Sequence, residues 1–176
     1  MKISNRNNIT TLIPTIGVIL FILLYIVAAN LYPGGSQADL NSVGFDWMNN
    51  YWCNLMNTEG MNGIPNPGRP IAISAMVILC LSILAFFFQC ANSLAMHKNW
   101  QIIIRVFGTL AMVVAALIST SYHDIMTSIS SGLGLIVVIG IIWAIYKSEL
   151  TLFKYTGLFC VLLMLLNTYI YYSENG

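Results

Sequence analysis

The stretch STSYHDIMTSISS, residues 119–131, sets a histidine beside an aspartate between two apolar runs. An imidazole can take up and return a proton near neutral pH, and a neighbouring carboxylate can orient it. Ionisable groups beside hydrocarbon are costly, which makes His123 and Asp124 functional candidates by default. A second polar set lies in GFDWMNNYWCNLMN, residues 44–57. At helical spacing Asp46, Asn49, Asn50, Cys53, Asn54 and Asn57 share one face. That face is amides and one acid, groups that bond specifically when buried, and not the Lys and Glu of a solvated stripe. Arg69 stands where the next apolar run begins, and a guanidinium there could hold a phosphate or carboxylate. Asn167, near the end of the last apolar run, completes the set.

Other chemistries are excluded by what the pattern lacks. The two histidines, His97 and His123, fall in separate parts of the chain, and no cluster has zinc-ligand spacing. No metal and no cofactor is therefore expected. There is no G-x-S-x-G elbow, H-E-x-x-H helix or Walker loop. Ser119 and Ser121 flank His123 too closely to infer a triad. Of the cysteines, Cys80, Cys90 and Cys160 sit in apolar runs, where a thiol behaves as a small hydrophobe. No pair has C-x-x-C spacing, so Cys53 reads as a free thiol in a polar setting. No inverted repeat and no line of acids points to alternating access or a cation path.

The elements that position these residues follow from composition. The chain has 176 residues, 58% of them hydrophobic and 7% charged, against about 25% charged in a soluble domain. Such a chain belongs to the membrane class. A net charge of +1, with no run of Lys and Arg, excludes nucleic acid as a partner. Spanning needs roughly 20 apolar residues of helix, and five stretches qualify: about 11–31, 71–92, 102–121, 125–146 and 155–172. The first is too long for the apolar region of a signal peptide and reads as an uncleaved anchor, despite the small residues at 27–29. The expected fold is an all-α bundle of five spans in a single integral membrane domain, residues 1–176.

Charge sets the orientation. Lys2, Arg6, Lys98, Arg105, Lys147 and Lys154 fall on one side of an alternating chain, and Arg69 falls on the other. Asp39, Asp46, Glu59, Asp124 and Glu174 lie with Arg69, leaving Glu149 with the cations. This is a positive-inside pattern, with the N-terminus cytoplasmic and the C-terminus outside the cell (inner or plasma) membrane. Trp100, Trp143, Tyr146 and Tyr155 form an inner aromatic belt; Tyr32, Trp52, Tyr122, Tyr169, Tyr171 and Tyr172 form an outer one.

The long connection, residues 32–69, then lies outside. Pro33-Gly34-Gly35 predicts a turn, and 45–57 predicts a short amphipathic helix in the outer interface. Asp124 reads partly as a cap on the fourth span. Thr127, Ser128 and Ser131 continue its face, and Ser128/Gly132 and Ser130/Gly134 are small-xxx-small pairs. These residues read as packing glue, each hydroxyl contributing about 0.6 kcal/mol. All the singled-out polar residues share the outer layer. The function expected is a polar pocket at the outer leaflet that binds a lipid headgroup or small polar ligand, or an assembly subunit. The alternatives are a lipid-modifying enzyme with His123 as base, oriented by Asp46 or Asp124, and a small-solute channel or transporter.

The segments YPGG, GFDWMNNYWCNL and NGIPNPGRPIAI, together with YHD, resemble a bacterial multi-span membrane family, that of domain of unknown function 998. The resemblance covers most of the chain and implies a six-span helical bundle, with no activity to transfer. Five spans are counted here, and the chain ends at NTYIYYSENG where a sixth would be expected. That departure makes a second copy or another membrane protein an expected partner, beside membrane lipids.

Overall fold

The computed structural model describes residues 8–94, 96–120 and 122–174. Five α-helices follow one another: α1 (Asn8–Asn30), α2 (Arg69–Ser93), α3 (Lys98–Ala116), α4 (His123–Lys147) and α5 (Thr151–Glu174). No strand occurs among the described residues. Among the described residues four helices are long and apolar enough to cross a membrane, over Thr11–Asn30, Arg69–Ser93, Lys98–Ala116 and His123–Lys147. Among the described residues α5 carries a further apolar stretch over Thr151–Leu163. Local signals set the helix starts. Pro70 occupies the first turn of α2, where its missing N–H costs nothing. His97 caps α3 through Nδ1, which accepts from the Asn99 N–H at 3.3 Å.

Neighbouring helices pack antiparallel in chain order, and α5 rests only lightly on α4. Small residues let them close. A Cβ on Gly17 of α1 would overlap the Ser82 side chain of α2. A Cβ on Gly108 of α3 would stand 2.7 Å from the Phe87 ring of α2, and one on Gly140 of α4 would stand 2.9 Å from the Trp100 ring of α3. These contacts replace a hydrophobic driving force that would be absent between helices in hydrocarbon. One core joins Phe21, Tyr25 and Ala28 of α1 to Ala72 and Ala75 of α2, with Leu55 and Met56 of the connection. The other joins Phe87, Ala91, Ile104, Val137 and Ile141.

The glycines expected to glue α4 to a neighbour do not do so within this chain. A Cβ on Gly132 or Gly134 would meet nothing within 4 Å. Ser128 donates to the Asp124 carbonyl at 2.8 Å and Ser130 to the Thr127 carbonyl at 3.1 Å. Both hydroxyls are thus spent on their own helix, a common resort of Ser in apolar helices. The close approach on α4 is made by Gly140 at its other end.

Residues 31–68 form a knitted cap over one end of the bundle. Gly34 and Gly35 have φ of +130° and +81°, backbone that side-chain-bearing residues rarely adopt. They bring the chain back so that Gly34 bridges Val43, and Glu59 bridges Pro65 further on. Buried polar residues among those described are Ser36, Asn50, Asn54, Asn66 and Ser82. All but Ser82 are in the cap, whose core combines these polar side chains with the buried Tyr32, Leu55 and Met56.

The amphipathic helix expected at 45–57 is replaced by a turn and a five-residue 3-10 helix, Trp52–Met56. Side chains that compete for the backbone explain the change. Asp46 Oδ1 accepts the N–H groups of Met48 and Asn49 at 3.0 and 3.2 Å. Asn50 Oδ1 accepts the Asp46 N–H at 2.9 Å. Aromatic packing then fixes the segment: the Trp52 ring stacks 5.5 Å from Tyr25, and Phe45 meets Tyr32 edge-on at 5.5 Å. Tyr32, expected in the outer belt, is only 4% exposed. Its hydroxyl accepts the Met61 N–H at 3.0 Å, making it a post beneath the cap.

Candidate functional site at the capped end

Where the cap meets the turn between α3 and α4 there is a pocket of about 210 Å³. The 3-10 helix and its end supply Cys53, Met56 and Asn57; the turn supplies Ile118, Ser119 and Thr120; α4 supplies His123. The turn is held locally, Thr120 Oγ1 donating to the Leu117 carbonyl at 2.8 Å and accepting from the Tyr122 N–H at 3.4 Å. Ile118 packs against the first core, anchoring the turn beneath the cap.

His123 Nδ1 lies 3.0 Å from Asp124 Oδ1. The side chains are 40% and 96% exposed, and a contact so open contributes about 0–1 kcal/mol to stability even when the imidazole is charged. Its consequence is orientation. In the tautomer whose Nδ1–H donates to the carboxylate, Nε2 is the nitrogen left to accept a proton. Asp124 was expected to cap α4; it lies in the first turn, and no side chain caps the helix start. Its carboxylate still faces the positive end of the helix dipole.

The Cys53 thiol is half-buried. Loss of solvent pushes its pKa up, backbone hydrogen bonds at Cys53 and Asn54 oppose the rise, and the Asp124 carboxylate adds a smaller upward push. Cys53 is therefore a neutral thiol near pH 7, and a base is needed before it can act as a nucleophile.

The other residues singled out do not join this pocket wall. Asp46 is occupied by its own turn, with Oδ2 accepting from Asn49 Nδ2 at 2.8 Å. These bonds hold its carboxyl below the usual range, the Asn49 side chain contributing most and Met48 N–H next. Asn50 Nδ2 donates to the Gly35 carbonyl at 2.9 Å. Asn54 Nδ2 meets the Met61 sulfur at 3.4 Å. Arg69 Nε donates to the Met56 carbonyl at 3.0 Å, supporting a residue that lines the pocket. The side chain of Asn167 lies outside the described residues. Of the expected set, the structure brings together Cys53, His123 and, through its bond to the imidazole, Asp124.

Sequence reasoning passed over Asn66 as a site-builder. Its Nδ2 donates to the carbonyls of Leu55 and Asn57 at 3.0 and 3.1 Å, and its Oδ1 accepts the Gly68 N–H at 3.0 Å. It ties the 3-10 helix to the start of α2. The Asn-Pro pair was the available signal, since Asn before Pro favours a turn. Thr120, Ile118 and Met56 carry no chemical signature and enter only through the fold.

Among the described residues no group of His, Cys, Asp and Glu is arranged to hold a metal ion. No family model, curated protein or solved structure matches this chain. Its function is argued from its own residues.

Proposed function

We propose that the chain is an integral protein of the cell membrane with five spans, its N-terminus cytoplasmic and its C-terminus outside. Its capped outer end would bind a lipid headgroup or small polar molecule in the Cys53–His123 pocket. Support for the membrane comes from the helix surfaces. Leu23, Leu81, Val113, Ile139 and Leu162, one from each helix, are 56%, 61%, 55%, 53% and 56% exposed. A water-soluble monomer rarely shows a contiguous apolar patch of more than a few hundred Å², and here every helix carries exposed large apolar side chains. The resemblance to the family of domain of unknown function 998 belongs to the same reading and supplies an architecture without an activity.

The observation that carries the site is the meeting of Cys53, Asn57, Ser119 and His123 around one small cavity. Ligand pockets for drug-sized molecules span roughly 300–1,000 Å³. At about 210 Å³ this cavity fits a headgroup fragment. Local charge favours an amine or a neutral polyol, because Asp124 adjoins the pocket while Arg69 is turned to a backbone carbonyl. The test is thermal stabilisation of the purified chain by phosphoethanolamine and by glycerol phosphate. Phosphoethanolamine should stabilise more, and His123→Ala should remove the difference. Equal responses, or a response untouched by His123→Ala, would contradict the site.

A second reading, a lipid- or headgroup-modifying enzyme, is favoured by the Asp124–His123 bond and by Cys53 in the same pocket. His123 would act as base and Asp124 would orient it. His123→Ala should then abolish lipid turnover in a chain that still inserts and folds. Unchanged membrane lipid composition after both overexpression and deletion would rule against catalysis.

A further inference from the structure

The end of the bundle opposite the cap carries a different pair of features. An apolar groove of about 710 Å³ is walled by Trp100 of α3 and by Ile139, Ile142, Trp143 and Tyr146 of α4. A second cavity, of about 310 Å³, lies between α4 and α5. It shares Ile142 and Tyr146 with the first, so the two flank one aromatic wall. At the rims stand two ammonium groups. Lys147 Nζ lies 4.7 Å from the centre of the Trp143 ring, and Lys154 Nζ, from α5, lies 5.6 Å from that of Tyr146. Both are within cation–π range, which holds them over the ring faces.

Among the described residues no carboxylate pairs with either cation. The one contact between a basic side chain and a carboxylate among the described residues is His123–Asp124, at the capped end. Glu149, on the turn between the two lysines, is exposed and pairs with neither.

We infer that this end is a binding site for one anionic phospholipid of the inner leaflet, its phosphate held by Lys147 and Lys154 and its acyl chains in the two apolar cavities beside Tyr146. The match is one of shape and charge together. From Ile139 to Lys147 the helix rises about 12 Å, which runs from headgroup level well into the acyl region. Trp100, Trp143 and Tyr146 sit at the boundary, where amphipathic rings are at home. Basic residues at the cytoplasmic rim of an interhelical groove select negative headgroups, and a zwitterionic phosphatidylcholine offers no net charge to do so. The inference rests on the membrane reading above and is independent of the outer pocket.

The test uses tryptophan fluorescence in the full chain carrying Trp47→Phe and Trp52→Phe, so that Trp100 and Trp143 remain as reporters. Brominated-chain phosphatidylglycerol should quench them at a mole fraction at least about tenfold lower than brominated-chain phosphatidylcholine, given roughly fivefold per lysine. Lys147→Gln with Lys154→Gln should abolish the preference and leave helix content intact. Equal quenching by the two lipids, or a preference that survives the double lysine variant, would overturn the site. Should the reporter background fail to fold, the shift in unfolding temperature of the wild-type chain between the two lipids reads the same preference. A chain recovered soluble without detergent and quenched by neither lipid would overturn the membrane reading itself.

Discussion

Cys53 and His123 line the same small cavity, although one belongs to the 3-10 helix of the cap and the other opens α4. Neither element alone makes a site. The cap brings a half-buried neutral thiol, and α4 brings an imidazole whose Nδ1 is held by Asp124 at 3.0 Å. Everything that fixes the cap on the bundle therefore also fixes the geometry of the pocket.

Asn66 is the strongest of those fixings. Asn66→Ala would leave two backbone carbonyls and one N–H without their partner in a residue only 6% exposed. Buried groups left unpaired cost about 1–3 kcal/mol each. With partial access to water afterwards, a loss of about 2–3 kcal/mol is expected, or roughly 5–10 °C in unfolding temperature. Thermal unfolding in detergent measures it, and a change below 1 °C would mean that the asparagine does not tie the cap down.

Asp46 predicts a response to acid. Its folded-state pKa lies below the ordinary 3.8 because the Asn49 side chain and the Met48 N–H bond its ionised form. A depressed carboxylate stabilises the fold above that ordinary value and loses its contribution as pH falls through the lower folded value. Cap order, followed by the fluorescence of the adjacent Trp47, should fall below about pH 4, and Asp46→Asn should flatten that dependence. An identical acid profile in the variant would remove the carboxylate from this role.

Two glycines of α4 should behave oppositely. Gly140→Ala places a methyl 2.9 Å from the Trp100 ring, and overpacking of this kind costs about 1–3 kcal/mol. Gly134→Ala meets open space and should gain about 0.5–1 kcal/mol from helix propensity. Unfolding temperatures of the two variants decide between these signs. A destabilising Gly134→Ala would instead show that a second copy or another protein packs on that face.

The electrostatic link between Asp124 and Cys53 can be read from thiol reactivity. Because the carboxylate helps to raise the Cys53 pKa, Asp124→Asn should favour the thiolate and speed alkylation near pH 8. The comparison uses a chain with Cys80, Cys90 and Cys160 changed to Ala, so that the signal comes from Cys53. A rate that falls or stays constant would put Asp124 out of electrostatic range.

Much of the fold was legible because hydrocarbon-length helices leave an unmistakable sequence pattern. Each of the five apolar stretches became a helix, with ends shifted by a few residues where capping and turn chemistry intervened. In α3, for example, the helix begins at Lys98 and stops at Ala116, because His97 caps its start and residues 117–120 turn to carry Ile118 beneath the cap. The cap itself was less legible. Helical periodicity placed Asp46, Asn50, Cys53 and Asn54 on one face, but Asp46 and Asn50 bond the backbone of their own turn and dissolve that face. Asn50 and Asn54, read as ligand contacts, are buried, with Asn50 Nδ2 on the Gly35 carbonyl and Asn54 Nδ2 against the Met61 sulfur. His123 and Cys53 were recognisable by type. Their meeting was not, since it depends on how Tyr32, Trp52 and Asn66 fold the connection back over α1 and α2.

The most direct measurement is alkylation of Cys53, as the sole cysteine, by a membrane-impermeant maleimide added outside sealed cells, with and without phosphoethanolamine. The expected result is labelling from outside, slowed several-fold by phosphoethanolamine in the wild-type background and unaffected by it in His123→Ala. Labelling that requires permeabilised cells would contradict the outer placement of the pocket. A rate indifferent to phosphoethanolamine in both backgrounds would contradict its role as a site for an amine-bearing headgroup.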